Sequence, residues 1–236
     1  MTPGLEGKAA LVTGGSRGIG AAVGRALHEA GAQVGLLSRS GDDLGLDGAL
    51  GVACDVTDQT EVQRGVDEVV ERFGRLDVAV ANAGVGAYGS FLDLDQEQLE
   101  LMIDVNLKGT LYTARAVLPH LIEAGESDFV ALASEAGRRG LPNEAVYCAS
   151  KFGQVGFVRS LDHEMREHGV RCTNVCPGGV ATDFAIGTGR TRDMPALEGM
   201  MSPDDVAAVV MFVITRPRGH RVLEVALRPM SEESWG

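Results

Sequence analysis

The sequence predicts an α/β protein: one doubly wound domain over residues 1–236, with a seven-stranded parallel sheet flanked by helices. Three observations predict it. Apolar runs of strand length alternate with stretches of helical period along nearly the whole chain, the pattern of repeated βα units. The strand runs are almost continuous in Val, Leu and Ala, which suits strands covered on both faces. No linker, repeat or low-complexity segment divides the 236 residues, a length that buries about 70% of its unfolded surface.

Residues 9–13 form a first strand that runs straight into Thr13-Gly14-Gly15-Ser16-Arg17-Gly18-Ile19-Gly20, and a helical stretch then continues to Gly31. Residues 33–38 form the second strand. Only about ten residues, rich in Gly and Asp, separate it from the third strand at 50–54, so the crossover helix there should be short or irregular. A helix opens at Asp58: Glu61 follows as in a capping box, and Val62, Val66, Val69, Val70 and Phe73 recur at helical spacing. The fourth strand is 76–81, and the fifth is 129–134, ending on a serine. A helical segment then carries Tyr147 and Lys151, and residues 171–175 form the sixth strand. Ser202, Pro203 and Asp205 open another helix with an N-cap, a proline at its first position and an acid in the first turn. Residues 222–227 form the last strand.

Composition narrows the function. Lys and Arg number 21 against 33 Asp and Glu, a net charge of −12, which argues against nucleic acid as a partner. Cys54, Cys148, Cys172 and Cys176 are too few for a disulfide framework and lack paired zinc spacing, so no metal is expected and the compartment reads as cytoplasmic. No apolar run approaches the roughly 18 residues of a membrane span, and the start MTPGLEGK lacks a signal-peptide core. Glycine, at 32 of 236 residues, is about twice its usual share of roughly 7%. Where the glycines stand is therefore informative.

In a first βα unit, glycines permit a tight turn whose N–H groups reach a pyrophosphate at the positive end of the following helix. Gly14, Ser16, Arg17, Gly18, Ile19 and Gly20 are the candidate contacts, although a plain tight turn would use the same glycines. A literal G-x-G-x-x-G at Gly84, Gly86 and Gly89 is not followed at once by a helix. About twenty residues beyond such a loop, an NAD site offers an acid to the ribose and an NADP site offers a cation to the 2′-phosphate. Ser38 and Arg39 stand there, with Arg17 as a second guanidinium, so NADP(H) is favoured over NAD(H). The alternative is that Arg39 is a solvated loop residue, and a shortened crossover could bend Asp42 and Asp43 back toward the ribose. Asp55 and Val56 are placed to meet an adenine, or Asp55 to cap the next helix.

Ser134 closes the fifth strand, and thirteen residues later Tyr147 and Lys151 stand at i and i+4 on one helix face. A phenol titrates near 10; a neighbouring ammonium, with a positive nicotinamide ring nearby, favours phenolate and should lower that value, making Tyr147 an acid-base group near neutrality. Ser134 would hold a substrate oxygen where charge develops.

Together these segments resemble the short-chain dehydrogenase/reductase family, in particular its NADP-dependent carbonyl and 3-oxoacyl-type reductases. The resemblance spans essentially the whole chain: the Thr13–Gly20 loop, Asp55-Val56, Asn82-Ala83-Gly84, Asn106 in VNLKG, Ser134, YCASK, and Pro177-Gly178-Gly179. It implies a Rossmann-type domain passing hydride between nicotinamide and a ketone or secondary alcohol. It implies Asn106, Ser134, Tyr147 and Lys151 as catalytic residues, with Tyr147 the proton donor, Lys151 also on the nicotinamide ribose, and Asn106 holding a water. Asn82, Ala83 and Gly84 would support the middle of the cofactor. Pro177, Gly178 and Val180 would flank the nicotinamide, and Thr182 would meet its carboxamide.

The resemblance also implies a homodimer or homotetramer through the helices bearing Asn106 and Tyr147, with Gly153 or Gly156 allowing close approach. A substrate lid is expected at about 183–201, where Gly187, Gly189, Met194, Leu197, Met200 and Met201 suit a mobile cover over an apolar group. Tyr88, Glu135, Pro142 and Phe184 are candidate pocket walls. Arg138 and Arg139 either meet a carboxylate or phosphopantetheine, or are solvated loop charges. The partner is then a small carbonyl or alcohol, with neither nucleic acid nor membrane. An NAD-linked alcohol or hydroxy-acid dehydrogenase is one alternative. A cofactor-binding regulator without catalysis is another, but it predicts a broken catalytic set, and here the set is complete. The chain ends on LEVALRPM and an acidic tail, where many relatives carry Asp-Gly-Gly after the last strand.

Overall fold

The computed structural model describes residues 4–193 and 199–232. Seven strands, β1 (Ala9–Thr13), β2 (Gln33–Ser38), β3 (Leu50–Ala53), β4 (Val78–Ala81), β5 (Ser127–Leu132), β6 (Val170–Pro177) and β7 (Glu224–Leu227), form one sheet. Every pairing is parallel, in the order β3-β2-β1-β4-β5-β6-β7. The expected doubly wound sheet is therefore present.

Strand alternation divides the core. Leu11, Leu37, Val52, Ala79 and Phe129 face one layer, built on α2 (Gln59–Phe73), α4 (Gly109–Ala124) and α5 (Ala145–Met165). Ala10, Val12, Leu36, Val80 and Val130 face the other, built on α1 (Gly18–Glu29) and α6 (Pro203–Ile214). Phe129, Leu11, Leu36 and Leu37 are fully buried, each contributing roughly 1.5–3 kcal/mol of transfer free energy. The sheet is thus a rigid floor for whatever stands on its edge. A shorter helix, α3 (Gln96–Ile103), runs through a π-helical turn at Asp104–Lys108 into α4.

Several boundaries move for visible reasons. β5 begins two residues earlier than expected because Asp128, though charged, is held by Arg171 through Nε at 2.7 Å and by Arg218 at 2.8 Å. It also ends earlier, at Leu132, which leaves Ser134 as the cap of a single 3-10 turn at Glu135–Gly137. The expected short or irregular helix between β2 and β3 is absent. Hydrogen-bonded turns join them instead, with Leu44, Gly41, Gly45 and Gly48 all at positive φ. Asp58 caps α2 as expected, accepting from the Thr60 and Glu61 amides. Glu61 does not return the bond; its carboxylate accepts from the Asp55 amide. Full capping boxes form at Ser202 with Asp205 and at Asp95 with Gln98. Among the described residues no helix is long and apolar enough to cross a membrane.

Candidate active site

The chain reverses its direction of travel across the sheet between β1 and β4, and in such sheets a crevice opens beyond the carboxyl ends of those strands. A cleft of about 680 Å³ lies there, lined from Gly14 at one side to Tyr147 at the other. Its floor is the loop after β1. Gly14 has φ +65° and Gly18 φ +54°, and a Cβ on Gly14 would stand 2.9 Å from the Ala83 Cα, so backbone here comes closer than a side chain permits. The Asn82 amide braces this loop by donating to the Thr13 and Gly14 carbonyls. α1 starts at Gly18 with no side-chain cap and no acid in its first turn. Its free N–H groups and dipole therefore suit an anion in the cleft, and the residues fit a dinucleotide pyrophosphate.

Ser16, Arg17, Gly18 and Ile19 line the cleft, whereas Gly20 does not. A Cβ on Gly20 would stand 2.2 Å from the Gly14 carbonyl oxygen, so this glycine lets helix and loop touch each other. At the far end the cleft is lined by Ser38, Arg39, Ser40, Asp55 and Val56. Arg17 and Arg39 are exposed, and among the described residues neither is ion-paired. Asp42 and Asp43 are not bent into the cleft; their carboxylates cap the Leu44 and Gly45 amides of the crossover. Asp55 accepts from Thr57 N and Oγ1, so its carboxylate serves the turn into α2 while the residue still borders the cleft.

At the other end stand Ser134, Tyr147 and Lys151. Tyr147 is buried, and burial drives its phenol well above the ordinary value; the Tyr88 phenol adds to this and a hydrogen bond with Ser134 opposes it. The protein's own groups thus shift the phenol upward, and Lys151 does not supply the lowering expected of it. The physical reason is burial of the phenol, which the ammonium does not offset: it lies 5.9 Å from the Tyr147 ring centroid and donates elsewhere, to Leu132 O at 2.8 Å and Gln154 Oε1 at 2.9 Å. Burial lowers Lys151 itself to about 8. Asn106 lies behind the cleft wall, fully buried in the π-helical turn. Its Oδ1 accepts from Val85 N, and its Nδ2 donates to Val85 O and Ser150 Oγ. Asn82, Ala83, Gly84, Pro177, Gly178, Val180 and Thr182 all border the cleft between these two ends.

The family model for short chain dehydrogenase matches residues 8–193. The chain belongs to the short-chain dehydrogenase family. An uncharacterised oxidoreductase of Staphylococcus aureus (strain MRSA252) is 34% identical over 233 residues, covering 96% of this chain and 99% of that protein. Among solved structures, the alcohol dehydrogenase of the archaeon Thermococcus sibiricus, complexed with 5-hydroxy-NADP, matches with a TM-score of 0.86 and 32% identity, over 97% of this chain and 99% of its own. A 3-ketoacyl-(acyl-carrier-protein) reductase from Brucella melitensis, complexed with NADH, matches with a TM-score of 0.85 and 27% identity, over 95% and 98% of the two chains. This short-chain dehydrogenase is an oxidoreductase of the CH–OH/C=O class, and its structural neighbours bind nicotinamide dinucleotides.

The substrate side of this short-chain dehydrogenase was only partly legible. Tyr88, Phe184 and Tyr147 form an aromatic cluster with centroids 5.7–6.4 Å apart, and Glu135 also lines the cleft, but Pro142 does not. Gly86 belongs to this end: a Cβ there would meet the Phe184 ring at 2.7 Å, so the second glycine pattern makes room for an aromatic side chain. Arg138 is not available to a substrate, because Glu135 and Glu224 hold it at 2.7 and 2.8 Å; Arg139 borders the cleft beside Glu135. The first part of the expected lid is folded. Tyr88 N donates to Thr188 O, Thr188 Oγ1 donates to Gly86 O, and Arg192 pairs with Asp183. Met194 and Leu197 lie outside the described residues.

Among the charged groups in the cleft that sequence reasoning did not single out are Glu144, Arg190 and Glu232. Arg190 lies over the Tyr88 and Phe184 rings, at 5.3 and 6.0 Å from their centroids. Glu232, from the acidic tail, accepts from Gly179 N in the turn after β6. Burial, with Glu232 adding repulsion and Arg190 and Arg139 opposing, pushes the Glu144 carboxyl up to about 7. No motif marks any of the three; only their placement reveals them. The four cysteines are free and buried, and no cluster of His, Cys, Asp or Glu among the described residues is arranged for a metal.

Proposed function

We propose that this enzyme moves hydride between NADP(H) and a ketone or secondary alcohol, with Tyr147 as the acid-base group. The observation that carries the reading is the convergence of Ser134, Tyr147 and Lys151 at one end of the same cleft whose other end carries Arg17 and Arg39. The bound nicotinamide supplies the hydride. Ser134 donates a hydrogen bond to the substrate oxygen, and the Tyr147 hydroxyl gives its proton to that oxygen as negative charge grows there. Burial keeps the phenol protonated at neutral pH, so the resting side chain is already the proton donor that reduction needs. The aromatic cluster excludes water from the reacting carbonyl and receives the apolar part of the substrate.

Arg17 and Arg39 support NADP(H), since a guanidinium pairs with a 2′-phosphate and gains nothing comparable from a hydroxyl. Parallel fluorescence titrations with NADPH and NADH test this. NADPH should bind at least about tenfold tighter, and Arg39→Ala should lose about 1.5–3 kcal/mol of NADPH affinity with little change for NADH. Tighter NADH binding would overturn the preference. For assembly, the exposed Phe152 on α5 and Leu111 on α4 support a homodimer or homotetramer through these helices. Gly156 faces open space as a partner helix requires, whereas Gly153 already faces Leu107 of its own chain, where a Cβ would stand at 3.0 Å. A monomeric mass for the unmodified protein in light scattering would contradict it.

A further inference from the structure

Behind Tyr147 runs a chain of buried polar contacts. Lys151 Nζ donates to Gln154 Oε1 at 2.9 Å, Gln154 Nε2 donates to Thr110 Oγ1 at 2.9 Å, and Thr110 Oγ1 donates to Asn106 O at 2.8 Å. Gln154 is completely buried and Thr110 is 3% exposed. The donor directions are forced. A carbonyl only accepts, so the Thr110 hydrogen is committed to Asn106 O; the amide must then present its NH2 to Thr110 and its oxygen to Lys151.

An ammonium has three N–H donors. Two are taken, by Leu132 O at 2.8 Å and by Gln154. The third is left for the cleft, which Lys151 borders beside Gly84; a Cβ on Gly84 would stand 3.8 Å from Nζ. No carboxylate among the described residues pairs with Lys151. The titratable groups facing it are Tyr147 on its own helix and Cys176 on β6. Two neutral oxygens are therefore what the protein offers the charged form, and one of them is a side chain.

We propose that Gln154 is a positioning residue for Lys151: its amide oxygen, locked in orientation by Thr110, fixes the ammonium so that one N–H is aimed into the cofactor cleft. The inference rests on Lys151 belonging to the cofactor-binding and reacting constellation. A glutamine that merely filled a polar hole would affect stability alone. Gln154 carries no motif, yet it decides where the lysine of the Tyr-x-x-x-Lys pair points.

The chain has three lysines, Lys8, Lys108 and Lys151, so the ε-carbons of isotopically labelled protein give a readable NMR titration, with Lys151 assigned by its loss in Lys151→Met. Gln154→Met, which removes the acceptor at similar volume, should lower the Lys151 midpoint by about one pH unit or more. It should also weaken NADPH binding in a fluorescence titration by about tenfold. Gln154→Glu, which keeps an acceptor for Lys151 and adds charge but cannot donate to Thr110 Oγ1, should raise the midpoint. Midpoints moved by less than about 0.3 units in both variants, or unchanged NADPH affinity in Gln154→Met, would overturn the proposal. If circular dichroism shows Gln154→Met unfolded, Gln154→Glu decides alone: a raised midpoint supports the proposal and an unmoved one overturns it. Undiminished NADPH affinity in Lys151→Met would instead overturn the functional reading beneath it.

Discussion

Gly14→Ala is the sharpest perturbation of the proposed cofactor cradle. Gly14 has φ +65°, and an added Cβ would lie 2.9 Å from both the Ala83 Cα and the Asn82 Nδ2, with Ala83 N at 3.1 Å. Two costs follow. An alanine in the left-handed region costs about 1–2 kcal/mol, and overpacking against backbone costs about 1–3 kcal/mol more. Reduced freedom of the unfolded chain returns about 0.4–1 kcal/mol, leaving a net loss of roughly 2–4 kcal/mol. For a chain of this size that is a fall in Tm of about 5–15 °C, unless the loop shifts and relieves the strain at the expense of the proposed pyrophosphate contacts. Differential scanning calorimetry and an NADPH titration on the same variant separate the two routes. Gly74→Ala is the control: Gly74 has φ +76° but nothing within 4 Å of an added Cβ, so only the smaller backbone cost applies and NADPH binding stays intact. A Gly14→Ala protein that melts within about 2 °C of the original and binds NADPH equally well would refute the cradle.

Two further outcomes test other parts of the molecule. Glu144 titrates at about 7 in the folded protein against an ordinary 4.5, so between those values the folded state binds the extra proton and the carboxylate's penalty grows as pH rises, being complete above about 7. Discounted for solvent at the cleft mouth, the penalty is about 1–2 kcal/mol; Glu144→Gln should therefore raise Tm by a few degrees at pH 8 and leave it unchanged at pH 4, and an effect independent of pH would contradict this. Asp128→Ala strands the buried Arg171 guanidinium and should cost about 3–5 kcal/mol in urea unfolding, with a loss under about 1 kcal/mol counting against a buried ion-pair clamp between β5 and β6.

The parts of the site legible in the sequence were those where a local pattern and the fold's geometry agree. The first strand leads into a glycine loop and an uncapped helix, and the crevice lies at the end of that strand. Tyr147 and Lys151 share a helix face because the residues between them continue the helix. What stayed hidden depends on contacts between distant segments. Glu232 reaches Gly179 across 53 positions, and Gln154 reaches Thr110 across 44. The π-helical turn holding Asn106 has no periodicity of its own to betray it. The crossover between β2 and β3 is short for the same reason its glycines are numerous, since turns at positive φ replace the missing helix. The upward Tyr147 shift was not legible because i, i+4 spacing shows neither how deeply the phenol is buried nor where the lysine ammonium points.

The role proposed for Tyr147, proton donor in a nicotinamide-dependent carbonyl reduction, is open to a direct measurement. The most direct test measures NADPH binding and ketone reduction together in the Tyr147→Phe protein. With Tyr147 as the donor, NADPH affinity should stay within about threefold of the unmodified enzyme and turnover should fall about 10²–10⁴-fold across a panel of ketones. Turnover within about tenfold of the unmodified enzyme, at unchanged NADPH affinity, would contradict it.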